Sequence, residues 1–304
     1  MTDSVVADRV EAGADAAWVR VVVHRDGAVT ETTGEDALEA LASARSAGAR
    51  AVWIDLTRAA QADVVRVARL LDLHPLVVED IEEGNQRSKV ELTDGLIHLV
   101  VFALDFTDEV VATEIDIVMG SGFLLTVHDG GWDAREVERL KREGLAAVMA
   151  RGVDHLLWAL IDSIVDDYFP FVDRLGDALD ALEDEVVERT EPETLQKVFA
   201  LKRELIDVRR AVSPVREILN QLTNRDLALI DPEEVIYFRD VYDHLIRLTD
   251  EIDNYRELAA STLDVYLSSV NNNLSAIMKR LTGVTVVLAG IGAFAGIFGM
   301  SEAA

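Results

Sequence analysis

Two kinds of hydrophobic spacing divide the chain. Up to about residue 155 short apolar runs alternate with amphipathic ones, and beyond it only helical spacing remains. The runs AWVRVVVH (17–24), AVWIDL (51–56), GLIHLVVFAL (95–104), TEIDIVMG (113–120) and GFLLTVH (122–128) are rich in Val, Ile and aromatics and bounded by Gly, Asp or Thr, which predicts strands. Between them GEDALEALASARSAG (34–48), ADVVRVARLLDL (62–73) and DAREVERLKREG (133–144) repeat apolar residues at steps of three and four behind acidic first turns, which predicts helices. Residues 1–155 are therefore expected to form an α/β domain with a mixed sheet.

The second half predicts long helices. Over residues 153–189 Ile161, Ile164, Val165, Tyr168, Val172, Leu175, Leu179, Leu182 and Val186 form one stripe, the signature of a single helix. Pro192 opens another, where its missing N–H costs nothing, and Pro214 inside that helix is expected to kink it. Residues 156–230 are thus paired acidic and connecting helices. A third helix starts after Asp231 and Pro232 and meets no stop signal before the C-terminus. Along it Val235, Phe238, Tyr242, Leu245, Leu248, Ile252, Tyr255, Ala259, Thr262, Tyr266 and Ser269 recur near a 3.5 repeat, a seam that one protomer is not expected to bury. A helix of roughly 70 residues is about 100 Å long.

That helix ends on LTGVTVVLAGIGAFAGIFGM, residues 281–300, without a charge and as long as a bilayer crossing requires. Lys279 and Arg280 just before it place its start on the cytoplasmic side. The acidic N-terminus carries no apolar run of signal-peptide length. The expected arrangement is an α/β cytoplasmic domain, an all-α stalk helix (231–280), a transmembrane helix (281–300) in the cell's inner membrane, and the start of an outer loop (301–304).

Composition narrows the function. With 56 acidic and 29 basic residues the net charge is −27, which excludes a nucleic-acid partner and favours cations. The absence of cysteine excludes disulfides, thiolate zinc sites and cysteine nucleophiles. No nucleophile elbow, P-loop or dinucleotide glycine pattern is present, so the chain is expected to be no enzyme.

One face of the last helix carries Asp264, Ser268, Asn271, Ser275, Met278, Thr282, Thr285, Ala289, Gly292, Gly296 and Gly299 at steps of three or four. Two readings compete. Small residues let membrane helices pack closely. Alternatively, several copies surround an axis and line a hydrated path, with neutral oxygens solvating a cation without trapping it. The opposite face, with Val286, Val287, Leu288, Ile291 and Phe294, suits lipid. A single span needs self-association to make such a path. Elsewhere, Glu79 and Asp80 are adjacent carboxylates, and twelve carboxylates with two arginines between Asp162 and Glu193 form at least a solvated helix face. Asp240, Asp243 and His244 share a helix face, either as a salt-bridge cluster or as a transition-metal site. His98 and His128 lie in strands, as satisfied core residues.

The segments HPLVVEDIEEGNQRSKVE (74–91), LTVH (125–128), KRELIDVRRAVSPVREIL (202–219), YFRDVYDHLIRLTDEIDNYRE (237–257) and YLSSVNNNLSAIMKRLT (266–282) resemble, in order, the CorA family of magnesium channels. The resemblance implies a homopentamer that passes Mg2+, with Co2+ and Ni2+ as further cargo, and a stalk helix continuing into the first membrane helix. It implies that Glu79, Asp80 and Asp240 are regulatory Mg2+ sites bridging neighbouring subunits, and that the acidic paired helices concentrate cations near the pore. In the family the pore helix ends in Tyr-Gly-Met-Asn, whereas here Phe298, Gly299, Met300 and Ser301 stand at the signature. Serine is shorter and makes a wider ring, which leaves a zinc-preferring relative as the alternative, beside a membrane-tethered cation sensor that does not conduct. Gly290 stands where the family carries a proline, and the family's second membrane helix and basic tail are expected beyond residue 304, in a longer form of the protein.

Overall fold

A computed structural model describes residues 18–84, 86–93, 95–106, 110–188, 191–225 and 227–301, with side chains at 105, 106, 110, 188 and 296–301 left aside. The chain divides into two compact units. One holds the described residues up to Asp173 together with Asp207–Ile252, and the other holds Arg174–Ile206 together with the chain from Asp253.

The first unit is built on a seven-stranded sheet of order β2-β1-β3-β7-β6-β5-β4. Its strands are β1 (Trp18–Arg25), β2 (Ala28–Thr33), β3 (Ala51–Thr57), β4 (Lys89–Thr93), β5 (Leu96–Phe106), β6 (Val110–Gly120) and β7 (Phe123–His128). Among the described residues only β3 and β7 pair in parallel and the other pairs are antiparallel, so the sheet is mixed as expected. The five apolar runs are all strands. The other two, β2 and β4, are the sheet's edges, where half-exposed residues leave no apolar run for the sequence to show. A local signal for β2 exists nonetheless. Asp26 and Gly27, with φ of 50° and 80°, form the two-residue turn that a tight hairpin demands.

Helices α1 (Glu35–Ser46), α2 (Gln61–Leu71) and α3 (Pro75–Glu83) cover one face of the sheet. Leu41, Val67, Val77 and Ile81 pack there with Val52, Ile54, Val118 and Leu125. The chain then passes through α4 (Glu138–Glu143) and α5 (Leu145–Arg151) to α6 (Val153–Asp166), which packs against β3, β5, β6 and β7 and is buried from Val153 to Val165. Three layers therefore shield the central strands on both sides.

The stripe predicted as one helix over 153–189 is two. α6 stops at Asp166 and α7 (Tyr168–Glu188) begins after Asp167. Pro170 explains the break, because its ring would collide with the carbonyl four residues earlier, that of Asp166, in an unbroken helix. α8 (Pro192–Asn224) does contain Pro214 in its interior. The long final helix, α9 (Val235–Ser301), is continuous over 67 residues.

Its first turns are anchored in the first unit. Glu234 is 5% exposed; one oxygen lies 2.7 Å from His155 Nδ1 and the other accepts from Arg151 Nη2 at 2.7 Å. Asp154 accepts the Asp231 N–H at 2.9 Å, and His155 and Tyr237 pack on Trp158. Here the structure corrects one expectation. Phe238, Val241, Leu245, Leu248 and Ile252 are fully buried within the unit of a single chain, so the lower seam needs no second protomer. In the second unit Ala259, Thr262 and Tyr266 are buried as well, and Thr262 Oγ1 donates to Glu183 at 3.0 Å. From Asn271 to Ala295 every residue of α9 is exposed.

Two substitutions test this account. Leu245→Ala should cost about 2–5 kcal/mol in denaturant unfolding, the range for emptying a core site, whereas Leu288→Ala should leave the midpoint unmoved. A Cβ on Gly176 would lie 2.6 Å from the Tyr255 hydroxyl. Gly176→Ala should therefore destabilise by about 1–3 kcal/mol, and the loss should shrink in a Gly176→Ala/Tyr255→Leu double variant.

Candidate functional site

The upper part of α9, exposed from Asn271 to Ala295, presents its chemistry to the surroundings. A Cβ built on Gly283, Gly290 or Gly292 would meet nothing within 4 Å, so packing inside the chain does not require these glycines. Ser268, Thr282 and Thr285 each donate their hydroxyl to the carbonyl four residues earlier, at 2.9, 2.8 and 2.8 Å. With the donor spent on the helix, each oxygen offers lone pairs outward. Asp264, Ser268, Asn271, Ser275, Met278, Thr282, Ala289 and Gly292 all lie exposed on this helix. The Gly296, Gly299, Met300 and Ser301 positions of the same face and signature fall outside the described side chains.

Glu79 and Asp80 occupy α3, which opens on Pro75 with the His74 ring accepting the Leu76 N–H at 3.2 Å. Glu79 is exposed. Asp80 is half-buried and ion-paired to Lys89 Nζ at 2.6 Å, and Lys89 also donates to Glu91 at 2.9 Å. Burial pushes the Lys89 ammonium down, but the two carboxylates outweigh it and hold the group above its usual value. On β4 the i, i+2 spacing puts Lys89 and Glu91 on one face, and Glu91 stands directly opposite His98 on β5. Asp80, Glu91 and His98 thus bring one ligand atom each within 4.8 Å of one another. His98 Nε2 is 2.8 Å from the buried Asp116, while its Nδ1 is buried with no hydrogen-bond partner.

His98 is therefore not the fully satisfied core histidine that the sequence suggested. His128 is: its Nε2 meets Asp55 at 3.3 Å and Thr57 at 3.3 Å, and its Nδ1 accepts the Gly130 N–H at 3.2 Å. The sequence reading missed Lys89, Glu91 and Asp116. Lys89 and Glu91 lie on β4, which lacked the apolar run that would have named it a strand, and Asp116 lies on the predicted strand β6, whose partner across the sheet only strand register reveals.

A second group gathers Asp162, Asp166 and His244. Asp240 is 70% exposed and lies 3.8 Å from His244, whereas Asp243 is exposed and is no part of this group. His244 Nδ1 is 4.0 Å from Asp166. Of the grouping of Asp240, Asp243 and His244, the Asp240–His244 pair is present, Asp243 takes no part, and Asp162 and Asp166 join His244 from α6. Arg139 pairs with the buried Asp162, and burial still holds that carboxyl above its ordinary value against the Arg139 charge, with Asp166 adding to the rise.

A folded α/β unit, carboxylates gathered near imidazoles, and a final helix that is long and apolar enough to cross a membrane define a class of protein able to work at a bilayer. Residues 48–301 match the family model of the CorA-like Mg2+ transporter protein. The cobalt/magnesium transport protein CorA of Thermotoga maritima is 36% identical over 254 residues, covering 82% of this chain and 72% of that protein. The chain belongs to this family, whose members are membrane transporters and not enzymes. The complete structure of the CorA magnesium transporter from Methanocaldococcus jannaschii superposes with a TM-score of 0.75 at 22% identity, over 92% of this chain and 86% of that one. The ZntB cytoplasmic domain of Vibrio parahaemolyticus shares the fold with a TM-score of 0.67 at 14% identity, over 84% and 99%.

Asp162 should titrate above its ordinary value of 3.8 in a pH series of side-chain NMR spectra. A carboxyl raised in the folded state contributes stability that is fully present below its unfolded value and lost as pH rises through the folded value. Asp162→Asn, which cannot ionise, should remove that part of the pH dependence of unfolding, and an unchanged profile would contradict the assignment.

Proposed function

We propose that the chain assembles as a homopentameric channel for passive entry of Mg2+, with Co2+ and Ni2+ as further cargo. The carrying observation is the Asn271–Ala295 stretch, exposed on every side of α9 in a member of a transporter family. A helix in that state requires lipid on one side and partners on another. Its polar face, with hydroxyl donors turned inward and oxygen lone pairs outward, suits copies arranged around a water-filled axis. Residues 231–280 act as the stalk and 281–300 as the pore helix. The α/β unit lies in the cytoplasm, with the inner membrane as the site of action.

Intracellular Mg2+ closes the channel by bridging Glu79, Asp80 and Asp240 between neighbouring subunits. Facing carboxylates repel until a divalent cation neutralises them, so metal favours the closed arrangement and its loss releases the stalks. Magnesium takes few protein oxygens and keeps several waters, which exposed carboxylates such as Asp240 allow. The acidic paired helices of residues 156–230 raise the local cation concentration. A zinc-preferring transporter is the second reading, favoured by Ser301 in place of the signature asparagine.

Uptake into liposomes tests both. Gly292→Leu should abolish Mg2+ uptake with the pentamer intact by native mass measurement, while Val287→Leu should be tolerated. Loss of the pentamer, or uptake surviving in Gly292→Leu, would make this face a packing motif. Uptake of Zn2+ in preference to Mg2+ would select the second reading, and a pentamer that passes neither would be a sensor. Asp80→Asn and Asp240→Asn should each weaken the protection that Mg2+ gives against proteolysis.

A further inference from the structure

We propose that Asp80, Glu91 and His98 form a transition-metal site within a single chain, closed by the Lys89 ammonium until a divalent ion displaces it. The donors are two carboxylates and one imidazole, each with a ligand atom within 4.8 Å of the others. Such a set suits Co2+, Ni2+ or Zn2+, which accept nitrogen, better than Mg2+, which prefers oxygen.

The decisive feature is His98. It is 1% exposed, and its Nδ1 has no hydrogen-bond partner. Its Nε2 lies 2.8 Å from Asp116 Oδ1. A carboxylate accepts, so the ring donates from Nε2, and in the neutral form of the ring the lone pair is then on Nδ1. That is the arrangement in which metal-bound histidines are held, with the second nitrogen donating to a carboxylate that fixes tautomer and orientation. A buried lone pair without a partner is costly in a core, and a metal ion would satisfy it.

Lys89 explains how the cluster persists without metal. Its ammonium touches Asp80 and Glu91 at 2.6 and 2.9 Å and neutralises part of their charge. The lysine side chain is 25% exposed, which gives it a way out to solvent when an ion of higher charge arrives. Asp80 also serves the subunit-bridging reading above, but this site depends neither on a pentamer nor on Asp240.

The test is a titration of the purified protein in detergent with Co2+ alone, followed through the visible absorption of the ion. Lys89→Met should bind Co2+ more tightly than the parent chain. Adding Asp116→Asn to Lys89→Met should weaken binding by about 10–100-fold, and adding His98→Phe should abolish the nitrogen-ligated spectrum. Asp240→Asn should leave this Co2+ signal unchanged, while Asp240 alone reports on the bridging reading. Equal Co2+ binding by Lys89→Met with and without His98→Phe, or no tightening in Lys89→Met, would overturn the proposal. Should His98→Phe fail to fold, ring-nitrogen NMR of Lys89→Met with Zn2+ decides: a shift of His98 Nδ1 supports the site, and an unmoved Nδ1 refutes it.

Discussion

A helix closes its own backbone hydrogen bonds, and α9 depends on that property along its whole length. Phe238, Val241, Leu245, Leu248 and Ile252 are buried and Asn271 to Ala295 are exposed, yet the helix is continuous and no backbone donor or acceptor along it needs a new partner. Only the side chains change. Large apolar groups at Phe238, Leu245 and Leu248 give way to alternating faces of oxygen-bearing or small residues and of Val287, Leu288 and Ile291. The same self-sufficiency takes up the hydroxyl protons of Thr282 and Thr285, which leaves acceptors on the surface.

Charge is the second constraint. A chain at −27 cannot leave its buried carboxylates alone, and the fold places a cation beside two of them, Arg139 at Asp162 and Arg151 at Glu234, while Lys89 pairs with the half-buried Asp80. The exposed acids Glu79 and Asp240 face water instead. Fixed cations hold the unit together, and exposed carboxylates are where mobile ones can act. Asp80 belongs to both sets, since it is only half-buried and its partner Lys89 is itself partly exposed.

The sequence alone determined the order of the fold. Five apolar runs became the strands β1, β3, β5, β6 and β7 because central strands must be apolar to be covered on both faces. An uncharged segment of bilayer length is legible without tertiary knowledge, and so is an ordered series of family segments. The edges were not legible, because β2 and β4 are held by their neighbours' hydrogen bonds and not by burial. The break at Asp167 was written in Pro170 but hidden under a continuous apolar stripe. Glu79, Asp80 and Asp240 could be named from the resemblance, yet not that Asp80 is engaged by Lys89. Tertiary structure decided what periodicity could not: that the lower seam of α9 is covered within one chain, and that Lys89, Glu91, His98 and Asp116 meet across three strands. The reason is physical. Period and composition record which faces avoid water, while the partner of each charge and the cover over each face are set by strand register and helix docking, which join residues far apart in the chain.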